Sequence, residues 1–160
     1  MKISLAINKE QLNNIVPIEL KGRSQKEAAR IATTSLLAIM KKRIFNDQGS
    51  VNASGTKLGE YSDSYLITRE KKERRTNKNI NLVFSGETSR ELTLGVNEDE
   101  NFSIGFIHEA NGQKKNPNAA QKAEYLEDPE GLNYGDILLA SDEEVDLWME
   151  IFEHELFERI

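Results

Sequence analysis

Apolar residues recur at helical spacing over two stretches of the chain. The first stretch predicts an amphipathic helix over residues 24–45, because side chains three and four positions apart share one helix face. Its apolar stripe consists of Ala28, Ile31, Ala32, Leu36, Ile39, Met40 and Ile44. The second stretch predicts a helix over residues 141–160, with a stripe of Val145, Trp148, Met149, Phe152, Leu156 and Ile160. Each helix begins with the Ser-x-x-Glu pattern of a capping box, in Ser24 and Glu27 and again in Ser141 and Glu144.

Alternating apolar and polar residues predict strands in two other places. One is a half-buried strand near the N-terminus, in KISLAI. The other is a group of strands over residues 80–107: RELTLGV and FSIGF alternate, and INLVFSG has the apolar and aromatic content of a strand. The acidic NEDEN between the last two segments has the composition of a hairpin turn. Residues 80–107 are therefore expected to form an antiparallel sheet.

The connecting segments have weaker patterns. Residues 46–64 combine glycines with small polar residues and have no apolar period, which predicts a long flexible loop. The segment YLITREKKERR predicts a short charged helix, and KEQLNNIV and AAQKAEYLED predict further short helical segments. Together the patterns predict one α+β domain over residues 1–160, in which a small antiparallel sheet packs with two long amphipathic helices.

The net charge of −6 conceals two opposite poles. Between Thr68 and Lys78, six basic residues face two glutamates, which gives a local charge of +4. From Ala119 onward, thirteen carboxylates face only Lys122 and Arg159, a local charge of −11. Opposite poles suit head-to-tail contact between copies of one chain. The alternative is that both poles are solvated faces that keep the protein soluble.

Residues able to carry catalysis or bind a metal are few. The chain has no cysteine, and its two histidines, His108 and His154, lack the clustered partners that metal sites need. Ser85 precedes Gly86 but lacks the G-x-S-x-G pattern of a nucleophile elbow. Neither a P-loop nor a dinucleotide-binding glycine pattern is present. We therefore expect a non-enzymatic protein with no metal, cofactor or small-molecule substrate.

The sequence has no apolar run as long as a membrane span, and its N-terminus lacks the apolar core of a signal peptide. These features, with the absence of cysteine, lead us to expect a soluble protein inside the cell or within an assembly, with no membrane partner.

Several short motifs follow one another from Ser24 onward. After the first helix come LGEYSDSYLITREKK, NLVFSGETSREL, FIHEANG and AEYLEDPEGLNYGDILLASDEEVDLW. This order resembles that of the phage neck, or tail-completion, proteins, which join a DNA-filled head to a tail. In that family a long helix leads through a Gly-rich loop to a W-x-x-L-S-x-x-Y-x-x-x-K stretch. A strand closing on T-G, a hairpin, an H-x-x-G turn and a final helix follow. Here Tyr61 stands where Trp is common, Ser85 replaces the usual Thr, and three residues rather than two separate His108 from Gly112.

The resemblance implies a structural subunit of the virion neck, made in the host cytoplasm and assembled as a ring of identical copies around the DNA passage. Its partners would be the portal or connector on one side and the tail on the other. The loop expected to dock on a neighbour includes Gly49, Gly55, Gly59, Tyr61 and Tyr65. The basic segment expected to face a neighbouring subunit or the DNA consists of Arg69, Lys71, Lys72, Arg74, Arg75 and Lys78. The acidic face expected to meet it consists of Glu143, Glu150 and Glu153.

An alternative function is a nucleic-acid-binding or host-interaction module that uses residues 69–78. Clusters of Lys and Arg bind phosphates, but REKKERR contains two glutamates and no aromatic residue on which a base could stack. That composition favours weak, non-specific proximity to DNA over specific recognition. A third alternative, a hydrolase with scattered carboxylates, lacks a convergent site in the sequence.

Overall fold

The computed structural model describes residues 23–46, 48–73, 77–82, 87–96, 102–106, 118, 121–122 and 136–158. The helices in this part of the chain are α1 (Arg23–Ile44), α2 (Asp63–Glu73), α3 (Glu87–Glu91) and α4 (Asp142–Phe157). The strands are β1 (Leu92–Val96) and β2 (Phe102–Phe106), which pair as a two-stranded antiparallel sheet. The predicted α+β class is confirmed. The predicted elements KISLAI, KEQLNNIV and NEDEN, and all but two residues of AAQKAEYLED, lie outside the described residues.

Helix α1 is the central element of the hydrophobic core. It packs chiefly against α4 and also contacts both strands. Its buried side chains recur every four residues, so that they form one continuous stripe: Ala28, Ala32, Leu36, Met40 and Ile44. From α4 the stripe meets Trp148, Phe152 and Leu156, and Ile137 and Leu138 close the core before α4 begins. The helical periodicity therefore predicted both the position and the buried face of the two long helices.

The two predicted capping boxes had different outcomes. At α4 the Ser141 hydroxyl accepts a hydrogen bond from the Glu144 amide at 3.2 Å. The Glu144 carboxylate in turn accepts one from the Ser141 amide at 2.9 Å, which completes the box. Helix α1 begins at Arg23, so Ser24 lies inside its first turn rather than at the N-cap, and the first box was wrong. The carboxylate of Glu27 accepts two hydrogen bonds from the Arg30 guanidinium.

Within the sheet predicted over residues 80–107, the described residues form the two strands β1 and β2. The β1–β2 register pairs Leu92 with Phe106 and Leu94 with Ile104, which places the apolar residues of both strands on one face. The first three residues of the predicted strand INLVFSG do not form a strand, and its residues 83–86 lie outside the described residues. Ile80 and Asn81 are buried but lie outside any strand, because the Ile80 amide and carbonyl bind the preceding loop. At Leu82 a φ of 51° ends the extended backbone.

The loop predicted over residues 46–64 is irregular up to Asp63, where α2 begins. It is also hydrogen bonded to other segments, which its composition did not indicate. The Ser50 amide donates to the Ile80 carbonyl at 2.6 Å, and the Tyr61 amide donates to the Lys78 carbonyl at 2.9 Å. A third bond, from the Ala53 amide to the Asp136 carbonyl at 3.0 Å, ties the loop to the segment before α4.

Substituting alanine for Gly49 is expected to destabilise the fold more than the same change at Gly55. Both glycines have a positive φ, 112° and 82°, which costs a residue with a Cβ about 1–2 kcal/mol. A Cβ at Gly49 would also lie 3.3 Å from the Cβ of Asn79, whereas nothing lies within 4 Å of one at Gly55. Urea denaturation should therefore give a lower midpoint for Gly49→Ala than for Gly55→Ala. Equal midpoints would contradict the contact with Asn79.

Candidate interaction surfaces

Arg43, near the C-terminal end of α1, fixes the relative positions of the loop and the acidic helix α4. Its Nε donates to the Glu144 Oε1 at 2.8 Å. One terminal nitrogen, Nη1, donates to the carbonyls of Val51 and Ile137 at 2.8 and 3.1 Å. The other, Nη2, donates to the Leu139 carbonyl at 2.6 Å. Because the planar guanidinium holds these acceptors in a fixed fork, Arg43 joins α1, the loop and the start of α4.

A second polar cluster holds α2 against the segment that follows it. The Arg69 side chain is buried, and its Nη2 donates to the Asn81 Oδ1 at 3.1 Å. Its guanidinium carbon lies 4.4 Å from the centroid of the Tyr61 ring, within the range of a cation–π interaction. The Tyr61 hydroxyl also contacts Asn81, and the Tyr61 and Tyr65 rings lie 5.0 Å apart. This cluster anchors the inner face of α2.

The prediction that Arg69 belongs to an exposed basic surface was wrong. The residue is 0% exposed, because the helix turns its side chain towards Tyr61 and Asn81. The other described members of the predicted basic segment, Lys71, Lys72 and Lys78, are exposed. The other two members, Arg74 and Arg75, lie outside the described residues.

The predicted docking loop is divided between buried and exposed positions. Gly49 is buried, so it does not present a surface to a partner, and that part of the prediction was wrong. Gly55 and Gly59 are exposed. Tyr61 and Tyr65 are half-buried, and both rings belong to the cluster around Arg69 rather than projecting freely from the loop.

The outer face of α4 combines carboxylates with apolar side chains. Of the three predicted acidic residues, Glu143 and Glu150 are exposed and Glu153 is half-buried. The same helix exposes Leu147 to 39% and Phe157 to 70%. Two or more large apolar side chains exposed on one helix indicate a contact surface, because burying them against a partner is favourable.

The outer face of α2 has a similar combination. Ile67 is 54% exposed, and it lies one turn before the exposed Lys71. Both residues lie on the side of the helix opposite the buried Arg69. The helical wheel could have indicated this arrangement, because Arg69 shares its face with Tyr65 while Ile67 and Lys71 share the other.

Two cations on α1 have shifted pKa values, and both lie outside these surfaces. The hydrogen bond and charge of Glu27 raise the pKa of Arg30, and partial burial lowers the pKa of Lys41. Lys42, next to Lys41, is exposed, so it is a better position than Lys41 for a control substitution beside Arg43.

Sequence reasoning missed Arg43 as a positioning residue. It lies in the run Lys41, Lys42 and Arg43 at the C-terminal end of α1, where a basic side chain ordinarily complements the helix dipole. Its spacing from the buried stripe does not distinguish it, because Lys41 is next to Met40 just as Arg43 is next to Ile44. His108 and Ser85, which the sequence offered as candidate chemistry, lie outside the described residues, whereas His154 is exposed on α4.

Among the described residues, no group of three or more His, Asp or Glu side chains is placed to bind a metal ion. None of the helices in the described part of the chain is both long and apolar enough to cross a bilayer. Comparison of the chain with protein-family models, curated proteins and solved structures gave no match.

Proposed function

We propose that this protein is a structural, non-enzymatic subunit of a phage neck, which assembles as a ring between the portal side of the head and the tail. The proposal begins from the order of motifs that resembles the tail-completion proteins. In this role the ring surrounds the DNA passage, and its two faces dock on the connector and on the tail. The protein would be made in the bacterial cytoplasm and then carried in the virion.

The observation that carries the proposal is the exposure of opposite charges on two separate helices of the same chain. Lys71 and Lys72 are exposed at the end of α2, whereas Glu143 and Glu150 are exposed on α4. A subunit with one surface complementary to another surface of its own copy makes heterologous contacts, and such contacts generate rings when the rotation closes. Arg43 supports this role because it holds the base of α4 and the loop together.

The test is the mass of the protein by light scattering over a concentration series, at low and at high salt. We expect a discrete oligomer whose formation weakens as salt increases, since salt screens exposed charges. Reversing Arg74 and Arg75 to glutamate should raise the concentration needed for assembly by about tenfold or more, because like charges would then meet across the contact.

The matched control reverses Lys26 and Lys42, two exposed lysines of α1, and so makes the same change in net charge. This control variant should assemble like the unmodified chain. If both double variants assemble equally well, the basic segment has no part in a subunit contact.

Exposure of Lys71, Lys72 and Lys78 also supports the alternative, a module that binds nucleic acid. That function predicts duplex binding by the monomer with a steep dependence on salt. A monomer at every concentration that binds duplex DNA would favour the alternative over the ring. Burial of Arg69 weighs against it, since one of the six basic side chains is not available to a phosphate.

A further inference from the structure

The outer faces of α2 and α4 each present an apolar side chain one turn away from a charge. On α2 the pair is Ile67 and Lys71, at a spacing of four residues. On α4 the pair is Leu147 and Glu150, at a spacing of three, and Phe157 extends the same face. The two pairs therefore repeat one arrangement with charges of opposite sign.

Net charge restricts what can cover the outer face of α4. Apart from Glu144, which the Arg43 side chain contacts, this helix carries six further carboxylates and no Lys or Arg, and Glu158 follows as its C-cap. A second copy of α4 or an acidic partner would bring like charges together, which disfavours association. A segment with exposed cations near an exposed apolar residue fits, and this chain carries one from Ile67 to Lys78: residues 68–78 have a net charge of +4, and Lys71, Lys72 and Lys78 are exposed.

We infer that α2 of one copy docks on the outer face of α4 of the next copy, with Ile67 against Leu147 and Phe157 and with Lys71 beside Glu150. This inference rests on the proposed function and specifies its subunit contact. The apolar side chains supply the buried area, and the charges set the orientation and exclude contact between like faces. The contact residues are already exposed, while the buried Arg69 and Trp148 hold the inner faces of α2 and α4 in the fold. Neither helix therefore has to move to form the contact.

Cysteine crosslinking tests the contact directly, since the chain contains no cysteine of its own. One chain carries Ile67→Cys, a second carries Leu147→Cys, and the two are mixed over a concentration series with a short bis-maleimide reagent. We expect crosslinked pairs in the mixture at much higher yield than in either chain alone. A chain with Lys26→Cys, at an exposed position on α1, replaces the Ile67→Cys chain as the control.

A charge exchange tests the orientation of the same contact. Adding Lys71→Glu to the Ile67→Cys chain should lower the crosslinking yield about tenfold, since a like-charge contact replaces an opposite-charge one. Adding Glu150→Lys to the Leu147→Cys chain should then restore the yield. Rescue of this kind would not follow from a general loss of stability.

The possible results distinguish a failure of the proposed α2–α4 contact from a failure of the proposed ring. Absence of the crosslink at every concentration overturns the inference, and if light scattering still finds an oligomer, the proposed function survives with a different contact. A single chain carrying both Ile67→Cys and Leu147→Cys should give a ladder of crosslinked multimers. If crosslinking of that chain stops at the dimer, the two helices do dock but the assembly is a closed pair, which contradicts the ring.

Discussion

Replacing Arg43 by alanine should lower the free energy of unfolding by about 3–5 kcal/mol, the range for breaking a buried ion pair by removing one partner. The Arg43 and Glu144 side chains are only 13% and 7% exposed, so the carboxylate that remains is largely shielded from bulk water. Three backbone carbonyls, those of Val51, Ile137 and Leu139, lose their donor in the same variant. Each buried acceptor left without a partner adds to the loss.

Urea denaturation followed by fluorescence measures this effect, because Trp148 is the only tryptophan and lies buried in the core. Arg43→Lys should recover only a small part of the loss, since an ammonium cannot reproduce the planar fork of donors. Lys42→Ala is the matched control next to it, and we expect a change of no more than about 0.5 kcal/mol at this exposed position. A small effect of Arg43→Ala, equal to that of Lys42→Ala, would show that the loop and α4 hold their positions without it.

Replacing Trp148 by alanine should cost about 3–5 kcal/mol, because it removes the largest side chain from the contact between α4 and α1. The indole ring stacks on Phe152 with 5.2 Å between centroids and 5° between planes. Its Nε1 donates to the Thr33 hydroxyl at 3.1 Å, and that hydroxyl donates to the Ala29 carbonyl at 2.7 Å. The residue therefore contributes both packing and a buried hydrogen bond between the helices.

Trp148→Phe separates these two contributions, because it keeps an aromatic ring and removes the Nε1 donor. We expect it to cost less than the alanine variant, with the hydrogen bond contributing about 1 kcal/mol. Combining it with Thr33→Val gives a double-mutant cycle for the bond itself. Far-UV circular dichroism must follow these unfolding curves, since the only tryptophan has been replaced. Additive effects of the two substitutions would contradict a direct interaction between the side chains.

The elements that the sequence predicted well depend on local signals. The helices over 24–45 and 141–160 have apolar residues at a period close to that of the helix. Most of the predicted stripe is buried in α1 and α4, whereas Ile31, Ile39, Val145 and Met149 are half-buried and Ile160 lies outside the described residues. The Ser141 capping box involves residues only three apart, so it needs no knowledge of the fold. Its counterpart at Ser24 failed because α1 starts one residue earlier, and helix ends are the least determined part of a periodic pattern.

The predictions that failed concern residues whose partners are distant in the chain. Ile80 and Asn81 lie in a segment with the composition of a strand, yet the Ile80 backbone binds Ser50 and Gly59 of the loop, and the Asn81 amide donates to the Tyr61 hydroxyl. The strands β1 and β2 pair with each other. Arg69 counts as one positive charge in any sequence window, but contacts with Tyr61 and Asn81 bury it. Composition gives the number of charges and does not give the direction in which each side chain points.

By itself, the sequence determined the two long amphipathic helices, the α+β class and the opposite signs of charge on residues 68–78 and on the C-terminal segment that contains α4. Each of these follows from residue type and from spacing along a few turns of chain. Only the tertiary structure decided that Arg43 pairs with Glu144, 101 residues away in the chain, and that Arg69 is buried instead of contributing to an exposed basic surface. The physical reason is that burial and hydrogen bonding depend on which segments meet in space, and side chains of the same type are equivalent until those contacts form.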